Sequence, residues 1–271
     1  MTARPSREAL LDALAWQIEA GVTDAVGESP VDRYAMPDRL PQSLAAAPAA
    51  PPTAPAPPAA PAPPAPAVDP VAAAGDAAAA AHDLAALRAA LDAFPHCDLR
   101  HGARQLVFSD GLPGARVMIV GEAPGREEDI EGRPFVGRAG QLLDRMFAAI
   151  GLARTASDPA GGLYITNILP WRPPQNRDPR PDEIAMMKPF VARHVELAAP
   201  DLLIAMGNIS CQALLGKRGI TRLRGGWTEA LGLPCLPMFH PAYLLRTPSA
   251  KREAWADLLD LAARLDGAGQ G

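Results

Sequence analysis

The second half of the chain alternates short apolar runs with stretches of helical periodicity, and few folds accept that alternation. RVMIV (Arg116–Val120), LYIT (Leu163–Thr166), DLLIAMG (Asp201–Gly207) and CLPMF (Cys235–Phe239) have the length and apolar character of buried strands. Between and after them, Ala139–Ile150, Pro181–Leu197, Ser210–Leu215 and Lys251–Leu265 read as helices. In the first of these, Leu142, Leu143, Met146 and Phe147 form one inward stripe. Pro181 followed by acidic residues is a favourable helix start, since the first turn has no use for the missing N–H and its positive end suits carboxylates. Strands separated by helices return the chain to the same edge, so the sheet runs mostly parallel. The predicted fold class is α/β: a three-layer α/β/α sandwich on a mostly parallel four-stranded sheet.

That topology also says where ligands belong, beyond the carboxyl ends of the strands. Three of the four strands run into loops with chemistry. GEAPG (Gly121–Gly125) follows the first, Asn167 ends the second, and His240 follows the fourth. Three such loops on one rim read as a site.

The first part of the chain is different. Thirty-one of the 271 residues are proline, and much of that proline lies between Pro41 and Pro70. Proline removes backbone donors and alanine buries little area, so residues 41–75 read as an extended, disordered linker. Ahead of it, residues 1–40 hold an amphipathic helix over Ser6–Ala20, with Leu10, Leu11, Leu14 and Ile18 on one face. Behind it, Asp76–Phe94 reads as one helix capped by Asp76 and leading the domain over 76–271. The formal net charge of −4 argues against a simple cationic coat for nucleic acid, although local patches matter more than the total. Three widely spaced cysteines make no disulfide framework. The N-terminus has neither a secretory signal nor a membrane helix, so the expected compartment is the cytoplasm, with no membrane partner.

Several residues in the rim loops carry candidate roles. Gly121 and Gly125 allow tight turns and Pro124 stiffens the loop, which can aim backbone N–H groups and Glu122 at a small polar ligand. It is neither a P-loop nor a dinucleotide fingerprint, and the pentapeptide alone fits an ordinary strand-to-helix turn equally well. Phe135, in RPFVG, is either core or an exposed ring that stacks on a base. Asn167 is either a turn residue or an amide reading a pyrimidine edge, for which it has both donor and acceptor. A single histidine is more often structural than functional, but His240 is followed by Pro241 directly after a strand and suits donation to a leaving group. Arg246, and the basic stretch holding Lys217, Arg218, Arg222 and Arg224, are candidate phosphate contacts or plain surface charge.

Taken in order, GEAPGREEDIEGRPFVGRAGQLLDRM, YITNILPWRPPQNRDPRPDE and FHPAYLLR resemble the uracil-DNA glycosylase superfamily, most closely its family 4. The resemblance covers roughly Cys97 to Trp255. It implies an enzyme of base-excision repair, a hydrolase that flips uracil out of DNA and cuts the N-glycosidic bond. It implies that Glu122 and the Ala123 backbone border the attacking water and sugar, with Gly121 beside them. It puts Phe135 under the uracil, Asn167 on its edge, and His240 at the O2 oxygen. Glu128 and Asn176 match further polar positions, and Arg222, Arg224 and Arg246 are the expected DNA-phosphate contacts.

The chain departs from family 4 in one respect. The family carries an iron–sulfur cluster on four cysteines, and here only Cys97 stands at such a position; Phe94, Trp171 and Met187 occupy the other three. Thiolates are the required ligands, so the expectation is no cluster, no other metal, and apolar packing in its place. Two other readings compete. One is a non-catalytic uracil- or DNA-binding adaptor, with the N-terminal helix and linker tethering it to a protein partner. The other is a covalent-trapping subgroup, which inserts a basic, His-containing loop after the second strand; TNILPWRPPQNRDPRPDE has no such insertion.

Overall fold

The structure, a computed structural model, describes residues 69–268 and, ahead of them, Leu11 alone. The expected N-terminal helix and the linker as far as residue 68 therefore lie outside the described residues. The chain then runs through α1 (Pro70–Ala79), α2 (Leu84–Ala93), the one-turn α3 (Leu99–Gly102), β1 (Asp110–Gly111), β2 (Val117–Gly121), α4 (Arg126–Glu131), α5 (Arg138–Ala148) and β3 (Leu163–Asn167). It continues through α6 (Pro181–Ala198), β4 (Leu202–Met206), α7 (Asn208–Leu215), α8 (Ile220–Leu223), β5 (Thr228–Ala230), β6 (Leu233–Met238), α9 (Pro241–Arg246) and α10 (Lys251–Ala268).

One sheet holds all six strands in the order β1-β3-β2-β4-β6-β5. Its four inner strands are parallel and are the four expected from the sequence. The count of four was two short. β1 pairs antiparallel with β3 at one edge, and β5 antiparallel with β6 at the other. These edges are Asp-Gly and Thr-Glu-Ala, with no apolar run to betray them; the neighbouring strand's free backbone groups recruit them.

The inner strands are apolar on both faces because helices cover both. Val117, Ile119, Ile165, Ile204 and Leu236 face one layer, with Leu143 and Phe147 of α5 and Leu258 and Leu261 of α10. Met118, Val120, Tyr164, Leu203 and Cys235 face the other, with Leu87 of α2, Phe190 of α6 and Ile209 of α7. The two-residue alternation assigns each side chain to its layer.

The leading helix also differs from expectation. It is two helices, and the first of them begins at Pro70, inside the stretch that read as linker. Asp69 and Asp83 are the capping residues, each accepting a backbone N–H (from Val71 at 2.9 Å and Ala86 at 2.7 Å), whereas Asp76 lies within α1. Composition misled because PVAAAG suits a helix start as well as a linker: proline fits the first turn, and alanine is the best helix former. Ala74 and Ala78 are buried, and such small residues let α1 pack closely on α6.

β2 sits between β3 and β4, so the chain leaves it to one side and later returns on the other. That reversal opens a crevice at the carboxyl ends of the parallel strands.

Candidate active site

A cleft of about 590 Å³ lies at that crevice, and all four parallel strands feed it. Glu122, Ala123, Pro124 and Gly125 enter from the end of β2, Asn167 from β3, Gly207 and Ile209 from beyond β4, and His240 from beyond β6. The contribution of β4, the third of the four sequence-predicted strands, was not expected from the sequence. The parallel ladder continues past the ends of β2 and β3, where Ile168 donates its N–H to Gly121 O (2.9 Å) and Leu169 to Glu122 O (3.0 Å). Asn167 and Glu122 are thus held on adjoining backbone.

Gly121 lies beneath the cleft, not in its lining. A Cβ there would come 2.2 Å from Asn167 Oδ1 and 2.6 Å from the Phe135 ring. Only glycine lets the amide and the ring meet over the end of β2. Phe135 is 5% exposed and Asn167 6%, and both border the cleft. The Phe135 ring centroid is 5.4 Å from that of His240, at an interplanar angle of 29°.

His240 caps α9, its Nδ1 accepting the Ala242 N–H at 3.1 Å. An accepting Nδ1 leaves the ring proton on Nε2. Burial pushes the His240 pKa down to about 4, helped by the positive charge of Arg246 and opposed by Glu128. At neutral pH His240 is therefore a neutral N–H donor. Glu122 moves the other way, pushed up to about 7 by burial and by Asp178, with Arg218 opposing.

Glu128 holds the loop together. It accepts N–H groups from Gly125 (3.1 Å), Val136 (3.0 Å) and Gly137 (3.0 Å), tying the two ends of its loop to one carboxylate. Asn176 lines the cleft from a tight turn in which Gln175 and Asn176 both have positive φ, 55° and 53°. Its amide oxygen accepts from Arg172 Nε at 2.7 Å. The turn is anchored by Glu183, 1% exposed, which receives Arg177 Nη2 at 2.6 Å and Nη1 at 2.9 Å.

The arginines divide. Arg246 is exposed and borders the cleft. Arg222 is exposed on α8, away from the lining. Arg224 is paired with the buried Asp257 of α10 and donates to Glu253 O, so its guanidinium is committed within the fold. Arg218, from the same basic stretch, does line the cleft. Asp178 and Tyr243 line it too and were not singled out in the sequence. Asp178 sits in a run of prolines and charges that looks like any polar loop until the fold turns it towards Glu122.

The sequence pattern of the uracil DNA glycosylase superfamily matches residues 108–259. This chain belongs to that superfamily. It is similar to the type-4 uracil-DNA glycosylase of Archaeoglobus fulgidus, 36% identical over 170 residues that span 59% of this chain and 82% of that protein. The type-4 uracil-DNA glycosylase of Thermotoga maritima is 39% identical over 156 residues, 56% of this chain and 78% of that protein. That of Sulfurisphaera tokodaii is 37% identical over 166 residues, 58% and 73% respectively.

The iron–sulfur cluster implied by family 4 does not fit the residues this superfamily member offers. Its three cysteines are Cys97, Cys211 and Cys235, all buried. Cys211 lies in α7 and Cys235 in β6, whereas Cys97 lies between α2 and α3. Phe94, Cys97, Trp171 and Met187 belong to one continuous buried cluster, none more than 3% exposed, and Phe94 packs edge-on against Phe190 at 5.3 Å. Burial raises the Cys97 pKa. Among the described residues no group of three or more His, Cys, Asp or Glu is placed to hold a metal ion, nor is any helix long and apolar enough to cross a membrane.

Proposed function

We propose that this chain is a uracil-DNA glycosylase that hydrolyses the N-glycosidic bond of a flipped-out deoxyuridine in DNA, the first step of base-excision repair in the cytoplasm. The observation that carries the reading is the meeting, in one cleft, of an aromatic ring, an amide and a neutral imidazole N–H, held by two strand ends and the loop beyond α4. A flipped base needs a platform, an edge reader and a donor to the departing ring. Phe135 stacks beneath the uracil. Asn167 offers donor and acceptor to its edge. As the C1′–N1 bond breaks, its electron pair passes to the uracil ring, and the Nε2–H of His240 donates to the O2 oxygen where charge collects. One such donor is worth roughly 2.7–4 kcal/mol by analogy with oxyanion sites. The sugar becomes oxocarbenium-like, and the carboxylate of Glu122 stabilises it and accepts the proton of the attacking water. The Ala123 backbone borders that water, while Glu128 and Asn176 shape the walls. Arg246 and Arg218 suit phosphates at the mouth; Arg222 lies farther out, and the pairing of Arg224 with Asp257 argues for a structural role there.

We also propose that the chemistry runs without an iron–sulfur cluster, the Phe94–Trp171–Met187 packing taking its place. Iron and sulfide analysis of anaerobically purified protein is expected to find neither, and stoichiometric iron refutes this part alone.

The function is tested with uracil-containing single- and double-stranded oligonucleotides followed by alkaline cleavage. Wild type nicks at uracil, while His240→Ala and Asn167→Ala lose nicking and keep their fold. Binding without nicking by wild type would instead support the adaptor reading.

A further inference from the structure

The turn that carries Phe135 is held in a conformation that phenylalanine does not favour. Its φ is 54°, in the left-handed region where the Cβ of an L residue is crowded by backbone. Such strain persists only where the surroundings over-determine it. Glu128 supplies one grip, through the N–H groups of Val136 and Gly137. The other grip comes from Arg154, whose sequence position, beyond α5, does not announce a role in the cleft. Arg154 Nη1 donates to Pro134 O at 2.9 Å and Nη2 to Phe135 O at 3.0 Å.

The rest of the guanidinium is equally occupied. Nε donates to Asp144 Oδ1 at 2.8 Å and Nη1 to Asp110 Oδ2 at 3.0 Å. The side chain is only 10% exposed and does not border the cleft. Two carboxylates would satisfy a structural ion pair by themselves. The two carbonyl bonds go further, fixing two successive peptides of one strained turn with a single rigid fork. On the far side α5 presses on the same carbonyl: a Cβ at Gly140 would lie 1.7 Å from Phe135 O.

We propose that Arg154 is a positioning residue for base excision, its fork setting the height and tilt of the Phe135 ring beneath the flipped base. The proposal rests on the reading of Phe135 as the base's platform. A catalytic platform misplaced by about 1 Å costs on the order of 100-fold in rate. Lysine can keep the charge near Asp110 and Asp144 but has no planar fork to bridge two carbonyls.

The test is a double-mutant cycle with two independent readouts. Arg154→Lys and Arg154→Met are each made alone and in the Phe135→Ala background, and single-turnover nicking and thermal stability are measured. Amide exchange at Val136 and Gly137 reads the turn directly. Arg154→Lys is expected to fold with a lowered melting temperature, lose on the order of 100-fold in kcat with KM little changed, and speed exchange at those two amides while β2 and β3 stay protected. In the Phe135→Ala background the same substitution is expected to change kcat by less than about threefold, because coupled residues fail to add. An equal loss in both backgrounds, or Arg154→Lys with wild-type kcat and exchange, overturns the proposal. If Arg154→Met does not fold, the lysine variant alone decides. A wild type that does not nick uracil DNA refutes the enzymatic reading, and exchange then still reports on the clamp.

Discussion

His240 and His194 are both buried, and burial pushes both imidazoles down to about 4, yet they do different things. His194 sits in α6, stacked on Phe108 at 4.3 Å and 10°, and shares a 2.9 Å hydrogen bond with the Tyr164 hydroxyl. Tyr164 in turn donates to Ser109 Oγ at 2.8 Å. That chain ties β3 to the segment before β1 and faces no part of the cleft. His240 has its Nδ1 tied to the Ala242 N–H and borders the cleft with the rest of its ring. Burial makes each ring neutral. What separates the two histidines here is whether the ring borders the cleft or is spent on bonds within the fold.

The largest effect that could break this comparison is on the chemical step. His240→Ala should lower the single-turnover rate by roughly 10²–10³-fold, the loss typical of one charge-stabilising donor. His194→Gln should leave that rate within a few-fold of wild type while lowering the melting temperature. A comparable loss of rate in both variants would mean that the cavity is not what distinguishes them.

A smaller effect separates His240 from Glu122 by pH. Glu122 acts as a carboxylate and its pKa is about 7, so kcat/KM should rise about tenfold per unit below pH 7 and level off above about pH 8. His240, at about 4, is already neutral across that range and adds no limb of its own. Asp178→Asn removes the negative charge beside Glu122 and should move the limb to lower pH. An unmoved limb in that variant would detach Asp178 from the site.

The smallest effect is on stability. A histidine whose folded pKa lies below its unfolded value leaves the unfolded state binding more protons, so stability falls as pH drops from about 6.5 towards 4. Glu122 has the opposite sign, its raised pKa making stability rise as pH falls from about 7 to 4.5. Two histidines against one glutamate leave, from these groups, a net loss of stability as pH falls through that window. Urea unfolding at pH 6.5, 5.5 and 4.5 should show that contribution shrinking towards zero in His194→Gln. A slope unchanged from wild type would mean that His194 is already protonated when folded.

Much of this was legible in the chain. The four parallel strands were, because a strand covered on both faces must be apolar throughout. The rim was too, because three of those runs end directly in GEAPG, Asn167 and His240. The edges β1 and β5 were not, since two or three polar residues carry no pattern and are strands only because β3 and β6 have backbone to pair. The break between α1 and α2 was missed because an alanine stripe runs through both, and the caps Asp69 and Asp83 look no different from Asp76.

The sequence alone determined the α/β class, the position of the site along the chain and the shortage of cluster thiols, since each follows from residue type and local spacing. Tertiary structure alone decided which charges are free to act. Arg224 and Arg246 look alike in sequence, but Asp257, 33 positions away from Arg224, takes the first and leaves the second at the cleft. The same holds for the tautomer of His240, the facing of Asp178 and Glu122, and the fork of Arg154 behind Phe135. Each depends on a hydrogen bond or charge contact reaching only a few ångströms, between groups that folding brings together.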